Sequence, residues 1–502
     1  MSRTVVVSNR IPPLGEKSDD AQAGGLTVVL RDLLEAGGGL WLGWSGRIHA
    51  TPGAPTLTTR GRVTYTTIDL TPAEHDGYYN GFSNGVLWPL LHLLPGLMRY
   101  NRADAEMYRR VNERLADTLL PQLRPDDAIW IQDYHLFPLA AALRTRGVNN
   151  RIGFFLHVPF PPSDVLSVIP GADRIVRDLL AADLVGFQTA HDGENFAGAA
   201  RDLGGASVAR GIARTDERAT RIGVFPVEID APRFAQTATH TTAQRAAAKL
   251  KASIGDQKLI LGVDRLDPSK GLAERLEAFG ELLHREPEWR GKVSFLQIAA
   301  ASRKDVPAYR DLRLELERIA GRINAEFGQP DWVPIRLVTR ACKREVVAGY
   351  MRLARVGLVT PLRDGMNLVA KEFVAAQDPS DPGVLVLSRF AGAGDQLREA
   401  LLVNPRDPDA LIDAIDAALR MDLAARRDRA GRLWQTVKAR TARIWGEEFL
   451  AELRGRTHAV QAADPAVPPA ALTLGPVALH LPASGLGGPP DEGALHAARP
   501  TH

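Results

Sequence analysis

Two carboxylates eight residues apart, Asp364 and Glu372, bracket a glycine and a helix-like run in TPLRDGMNLVAKEF at 360–373, directly after the apolar stretch RVGLVT. If RVGLVT is a buried strand, the pair stands at its exit, where α/β sheets bind their ligands. On spacing alone the same residues could cap a helix and face solvent. Other charged residues recur at similar places. KLILGV runs into DRLDPSKG, which sets Arg265 and Lys270 five apart on a loop. Two fixed cations there could stabilise a diphosphate as it departs, or be plain surface charge. TVVVS ends in SNR with Arg10, and KVSFLQIA runs into AASRKDV with Arg303. AIWIQ runs into DYHL with Asp133 and His135, and RIGFFL into HVPFP with His157. One histidine at a strand end is more often structural than catalytic, but several such positions aimed into one cleft shift the balance.

Two further stretches suit ligands. Gly24 and Gly25 precede the amphipathic run LTVVLRDLLEA, so free N–H groups and the helix dipole could hold an anion, although a plain turn and helix start reads the same way. The segment HDGYYNGFSNGVLWPLLH at 75–92 sets Tyr78, Tyr79, Phe82 and Trp88 among amides and glycines. An aromatic platform edged with amides suits a sugar, and a core-edge cluster has the same composition. Trp41 and Trp44 in WLGWSG share that ambiguity.

These residues need a frame of strands. TVVVS (4–8), AIWIQ (128–132), RIGFFLH (151–157), DLVGF (183–187) and RIGVFP (221–226) read as buried parallel strands, with a long helix expected over 98–120. A second series holds KLILGVDRL (258–266), KVSFLQIA (292–299), PIRLVT (334–339), RVGLVT (355–360) and GVLVLS (383–388). With a break near 226–240, the pattern predicts two doubly wound, Rossmann-like α/β domains facing an inter-domain cleft. Expected boundaries are 1–228, 229–440, a terminal helix at 441–456 packing back on the first domain, and a tail at 457–502. Eight prolines and no Phe, Trp or Tyr in those last 46 positions predict disorder there.

Composition excludes some classes. Lys and Arg total 62 against 59 Asp and Glu, with both signs interspersed, so nothing marks a nucleic-acid partner. One cysteine, Cys342, rules out an internal disulfide and a thiolate zinc cluster, and no metal site is expected. The short apolar run in MSRTVVVSNR is too brief for a signal peptide, and no stretch approaches 18 unbroken apolar residues. No membrane contact and a cytoplasmic location are therefore expected. Whether copies of the chain associate is left open.

Taken together, SNR, AGGL, GWSG, YYNGFSNGVLWP, DYHL, GFFLHVPFP, RLDPSKG, ASRKDV, GRIN and TPLRDGMNLVAKEF, in this order across about residues 4–456, resemble the trehalose-6-phosphate synthase family, glycosyltransferase family 20. The resemblance implies a GT-B fold, with an acceptor-binding first domain and a nucleotide-sugar-binding second one. It also implies a retaining transfer of glucose from a nucleotide sugar, usually UDP-glucose, to glucose 6-phosphate without cofactor or metal. Arg10 and Arg303 would grip the acceptor phosphate, with Trp44, Tyr79, Trp88 and Asp133 lining the acceptor pocket. Gly24, Gly25, Arg265 and Lys270 would hold the donor diphosphate and His157 the donor glucose. Asp364 would take that glucose's hydroxyls. Gly365, Met366, Asn367, Leu368 and Val369 would offer N–H groups at the helix start, where Ala370 and Lys371 also fall on the donor side, and Glu372 would take the ribose. Arg265, Lys270, Asp364 and His157 are then the expected catalytic residues.

Pro268 stands where the family usually has Tyr, and Cys342 where an aromatic residue often lies near the base, so ADP-glucose or GDP-glucose stays open as donor. Alternatives are a relative using another phosphorylated acceptor, such as glycerol 3-phosphate, and a silent synthase-like subunit. The intact charged set argues against the second.

Overall fold

The computed structural model describes residues 3–12, 25–301 and 306–455. Ten strands form a first sheet: β1 (Thr4–Arg10), β2 (Gly39–Ile48), β3 (Thr56–Arg60), β4 (Val63–Leu70), β5 (Ala128–Gln132), β6 (Arg151–Phe155), β7 (Leu184–Phe187), β8 (Ser207–Ala209), β9 (Ile212–Arg214) and β10 (Ala219–Val224). Their order is β3-β4-β2-β1-β5-β6-β7-β10-β9-β8, parallel from β4 to β10 with antiparallel edges. A second, all-parallel sheet holds β11 (Lys258–Arg265), β12 (Val293–Ala300), β13 (Ile335–Val338), β14 (Val356–Val359), β15 (Val384–Ser388) and β16 (Leu401–Val403), in the order β13-β12-β11-β14-β15-β16. The protein is thus an α/β molecule with two Rossmann-like sheets, the GT-B arrangement.

All ten strands expected from β-branched and apolar runs are present. Val5, Val6, Val7, Ile129, Ile131, Val356 and Leu358 have no exposed surface, because helices cover both faces of each parallel sheet. Both sheets reverse direction of growth at their first strand: β1 lies between β2 and β5, and β11 between β12 and β14. Ligands of open α/β sheets bind in the crevice at such switch points. The exits of β1, β5, β11 and β14 carry Arg10, Asp133, Arg265 with Lys270, and Asp364.

Local packing explains two less regular features. The segment expected only as an aromatic platform coils as a wide, i→i+5 helix over His75–Leu87 and closes in an α-turn at Trp88–Leu91. Gly77 and Gly81 let it lie against the helix Arg102–Leu119: a Cβ at Gly77 would stand 2.9 Å from Met107 Cβ, and one at Gly81 2.5 Å from Asp104 Oδ2. The last described helix, Ala442–Leu453, docks on the first sheet through Trp445 and Phe449. Phe449 lies over Gly153 and Gly186 in β6 and β7, where any side chain would collide with its ring, and its ring centroid is 4.7 Å from that of Trp130. The expected tail at 457–502 lies outside the described residues. Among those described, no helix is long and apolar enough to cross a membrane.

Candidate active site

On the first domain, β1 ends with Arg10 above Trp44, its guanidinium 5.6 Å from the ring centroid. Gly46, at φ +89°, makes the space, since a Cβ there would be 2.5 Å from the guanidinium. Trp44 touches His75 and Tyr79 at ring distances of 5.5 and 5.8 Å, and Tyr79 stacks on His135 at 5.9 Å. The wide helix is tied to the strand exits by two tyrosines: Tyr78 Oη donates to Asn9 Oδ1 at 2.8 Å and Tyr134 Oη to Asn84 Oδ1 at 2.9 Å.

Asp133 leaves β5 at φ +74°, a conformation non-glycine residues rarely adopt and one that clusters at functional sites. Its Oδ1 accepts the backbone N–H of His157 at 3.2 Å. The His157 Nε2–H donates to Gln132 Oε1 at 2.8 Å, and burial pushes the imidazole down to about 3. It stays neutral at physiological pH.

On the second domain, Asp267 caps a short turn at Pro268–Lys270 by accepting Ser269 N–H at 3.0 Å. Proline occupies the first position of that turn, which needs no N–H, so the fixed φ of Pro268 fits the loop that presents Lys270. Gly271 follows at φ +62°, where a Cβ would lie 2.2 Å from Thr360 O. The Lys270 ammonium pairs with Asp364 Oδ2, which also accepts from Asn367 Nδ2 at 3.0 Å. Burial alone would raise the Asp364 carboxyl, but Lys270, helped by His92 and Arg265, outweighs it and holds the group below its ordinary value.

Asn367, at φ +73°, caps the helix Leu368–Ala376 by accepting Ala370 N–H at 3.3 Å. Among the described residues no acceptor is recorded for the N–H groups of Leu368 and Val369, which leaves the helix start open to an anion. Glu372, one turn along, pairs with Arg344 at 2.9 Å. Burial raises its carboxyl against the pull of that arginine.

The two halves meet at this point. A Cβ on Gly365 would stand 2.0 Å from the backbone oxygen of His157, and Arg363 faces Asp192 at 3.8 Å. Lys371, grouped by sequence with the donor side, is committed elsewhere: it is 1% exposed, and its ammonium donates to Glu228 Oε2 at 2.6 Å and Val227 O at 2.8 Å. Ala370 is likewise buried, and Met366 packs in the second domain's core. Lys371→Ala would strand the Glu228 carboxylate in the interior, and should cost about 3–5 kcal/mol in denaturant unfolding. A change under about 1 kcal/mol would show that water reaches Glu228.

Whole-chain comparison decides the family. The model of Glycosyltransferase family 20 matches residues 2–455. The chain belongs to glycosyltransferase family 20. It is 46% identical over 457 residues to the trehalose-6-phosphate synthase of Sinorhizobium fredii, covering 90% of this chain and 98% of that one. With the Escherichia coli enzyme the figures are 45% over 455 residues, 90% and 95%. Among solved structures, the UDP-forming α,α-trehalose-phosphate synthase of Burkholderia xenovorans in complex with glucose 6-phosphate has a TM-score of 0.87 at 45% identity, over 90% of this chain and 100% of that one. The E. coli protein bound with UDP-2-fluoro glucose has a TM-score of 0.86 at 44% identity, over 90% and 99%.

Of the family residues expected from sequence, the structure assembles Arg10, Trp44, Tyr79 and Asp133 along the exits of the first sheet, and Lys270, Asp364 and Asn367 across from His157. Arg265 is exposed at the end of β11, Trp88 is buried at the start of the α-turn that closes the wide helix, Gly25 opens the helix Gly25–Gly37, and Cys342 is half-buried ahead of the helix Arg344–Leu353. Gly24 and Arg303 lie outside the described residues.

Sequence reasoning missed Arg344, Arg363 and His92. Arg344 falls at a helix start rather than a strand exit, Arg363 was passed over beside Asp364 at the same exit, and His92 sits inside an apolar run. His92 is 3% exposed, stacks on Trp88 at 4.2 Å, and its Nδ1 lies 2.8 Å from Trp88 O. Burial pushes it down to about 4 from an ordinary 6.5, despite the nearby Asp267 and Asp364. The folded state therefore binds fewer protons than the unfolded one between those values. Its contribution is harmless above about 6.5 and erodes stability as pH falls towards 4, by up to about 1.4 kcal/mol per pH unit. His92→Gln should flatten the acid limb of a stability-versus-pH curve, and an unchanged limb would contradict this.

Proposed function

We propose that this family 20 member transfers the glucosyl group of UDP-glucose to the anomeric hydroxyl of glucose 6-phosphate, giving α,α-trehalose 6-phosphate and UDP. The observation that carries the reading is the Lys270–Asp364 pair, seated beside Gly365 where the second domain meets the His157 backbone of the first. A donor sugar held by Asp364 would there face an acceptor held by the first domain. Arg10 suits the acceptor phosphate, as guanidinium forks match phosphate oxygens, and Tyr79, Trp44, Trp88 and Asp133 line the hexose. Arg265, Lys270 and the open N–H groups of Leu368 and Val369 take the diphosphate, Glu372 the ribose, and Cys342 stands near the base.

Retaining glycosidases use a nucleophilic carboxylate close to the anomeric carbon. Asp364 is engaged by Lys270 and Asn367 instead. The reading therefore assigns a front-face displacement. The bond from the anomeric carbon to the diphosphate oxygen breaks, the bond to the acceptor hydroxyl forms on the same face, and the acceptor's proton passes to the departing phosphate oxygen. Arg265 and Lys270 neutralise the charge that develops there, and closure of the halves excludes water. The domain limits 1–228 and 229–440, with the helix at 441–456 returning to the first domain, follow from this division of labour. The test is incubation of UDP-, ADP- or GDP-glucose in turn with glucose 6-phosphate and, in parallel, with glycerol 3-phosphate. An α,α-linked phosphorylated disaccharide fastest from UDP-glucose supports the reading; transfer to glycerol 3-phosphate alone, or no transfer, overturns it.

A further inference from the structure

A further inter-domain cavity, of about 760 Å3, has Trp88 in its lining. It falls within the size range of small-molecule sites, about 300–1,000 Å3. Of the described residues assigned above to acceptor or donor, it shares only Trp88. One wall is the wide helix with Asn84, together with Asp104 of the helix that packs on it; the other is the second domain with Leu272, Glu274 and Leu312.

Its chemistry is unlike that of the substrate pocket. Asp104 and Glu274 approach it from the two domains, and neither has a recorded hydrogen bond or ion pair among the described residues. Arg99, the one basic residue among the described residues of the lining, gives its Nη1 hydrogens to the carbonyls of Gly96 and Met98. Burial, and then repulsion from Asp76, raises the Asp104 carboxyl. Among the described lining residues carboxylates outnumber the one guanidinium, so a phosphate would meet net like charge here. Asn84 adds an independent feature: it is 1% exposed, lines the cavity, and its Nδ2 has no acceptor among the described residues, while its Oδ1 is taken by Tyr134. A buried donor left unmade is costly.

Unpaired carboxylates beside an unmet amide donor call for a ligand that both donates and accepts. Hydroxyl groups do both, and Trp88, Leu272 and Leu312 offer apolar surface to the C–H faces of a sugar ring. A cation would satisfy the carboxylates and leave Asn84 unmet.

We propose that this cavity is a binding site for a neutral, unphosphorylated saccharide, distinct from the pocket for the sugar phosphate. An occupant would touch both domains, and so bias how far they approach.

Isothermal titration of the full chain with α,α-trehalose as probe tests this. Saturable binding is expected, undisturbed by saturating glucose 6-phosphate. Asp104→Asn should weaken it about tenfold, the scale of one hydrogen bond to a charged group, and Leu312→Trp should abolish it by filling the space. Absence of saturable heat, displacement by glucose 6-phosphate, insensitivity to both variants, or binding of spermidine in place of the disaccharide would overturn it. Turnover measured in parallel keeps this result separate from the function proposed above, because binding of the probe requires no chemistry.

Discussion

Lys270→Ala lowers kcat by about 10² or more, the scale seen when one preorganised group facing transition-state charge is removed. The expectation follows from two roles that one ammonium performs. It is poised to meet the diphosphate as its oxygen gains charge, and it keeps Asp364 ionised by outweighing burial. Without it Asp364 moves up towards protonation and holds the transferred sugar less firmly. The change should fall on kcat more than on KM for glucose 6-phosphate, because the acceptor contacts assigned above are made by other side chains, most of them in the first domain. Initial-rate kinetics on purified variant and parent separate the two effects. Turnover within about threefold of the parent would remove Lys270 from the mechanism, since uniform binding alone would not change kcat.

Gly365→Ala is the second large effect. The added Cβ would stand 2.0 Å from His157 O and 2.9 Å from its carbonyl carbon, both backbone atoms that no rotamer change can move. The halves must then separate by roughly 1 Å or more, and misplacement on that scale costs about 10² in rate. The folded state is otherwise little disturbed, because Gly365 is not among the positive-φ glycines. The variant should therefore unfold near the parent's midpoint while losing at least about 10² in kcat, with UDP binding less affected. Parent-like turnover would mean that the reaction does not need the halves this close.

The sheets were legible because their strands are short apolar, β-branched runs buried on both faces; all ten strands read from sequence are present. The missed elements have other signatures. β2 holds WLGWSG, whose two tryptophans read equally as a sugar platform or a core-edge cluster and gave no strand signal; Trp41 is a core residue and Gly46 clears room for Arg10. β3, β8 and β9 are short pieces at the two ends of the sheet, largely exposed or half-exposed. The wide helix had no legible period, because its spacing answers to the glycine contacts with Met107 and Asp104.

At the candidate site, strand exits pointed to Arg10, Asp133, His157, Lys270 and Asp364, and each stands where a strand ends. The family resemblance extended that list along the helix 368–376, where sequence has no means of separating a ligand-facing side chain from one that holds the domains together. Lys371 shows the limit. Beside Glu372 it reads as one more donor residue, and only its partner Glu228, 143 positions away, reveals the other use. Arg344 and Arg363 went unread for the same reason, since their partners Glu372 and Asp192 are distant in sequence.

The most direct measurement is a crystal structure of the protein soaked with UDP and glucose 6-phosphate together. The diphosphate is predicted to lie within hydrogen-bonding reach of Arg265, Lys270 and the N–H groups of Leu368 and Val369. The hexose hydroxyl should point at its terminal oxygen, with the sugar's phosphate on Arg10. Ligands lodged elsewhere, or a diphosphate out of reach of Lys270, would contradict the account.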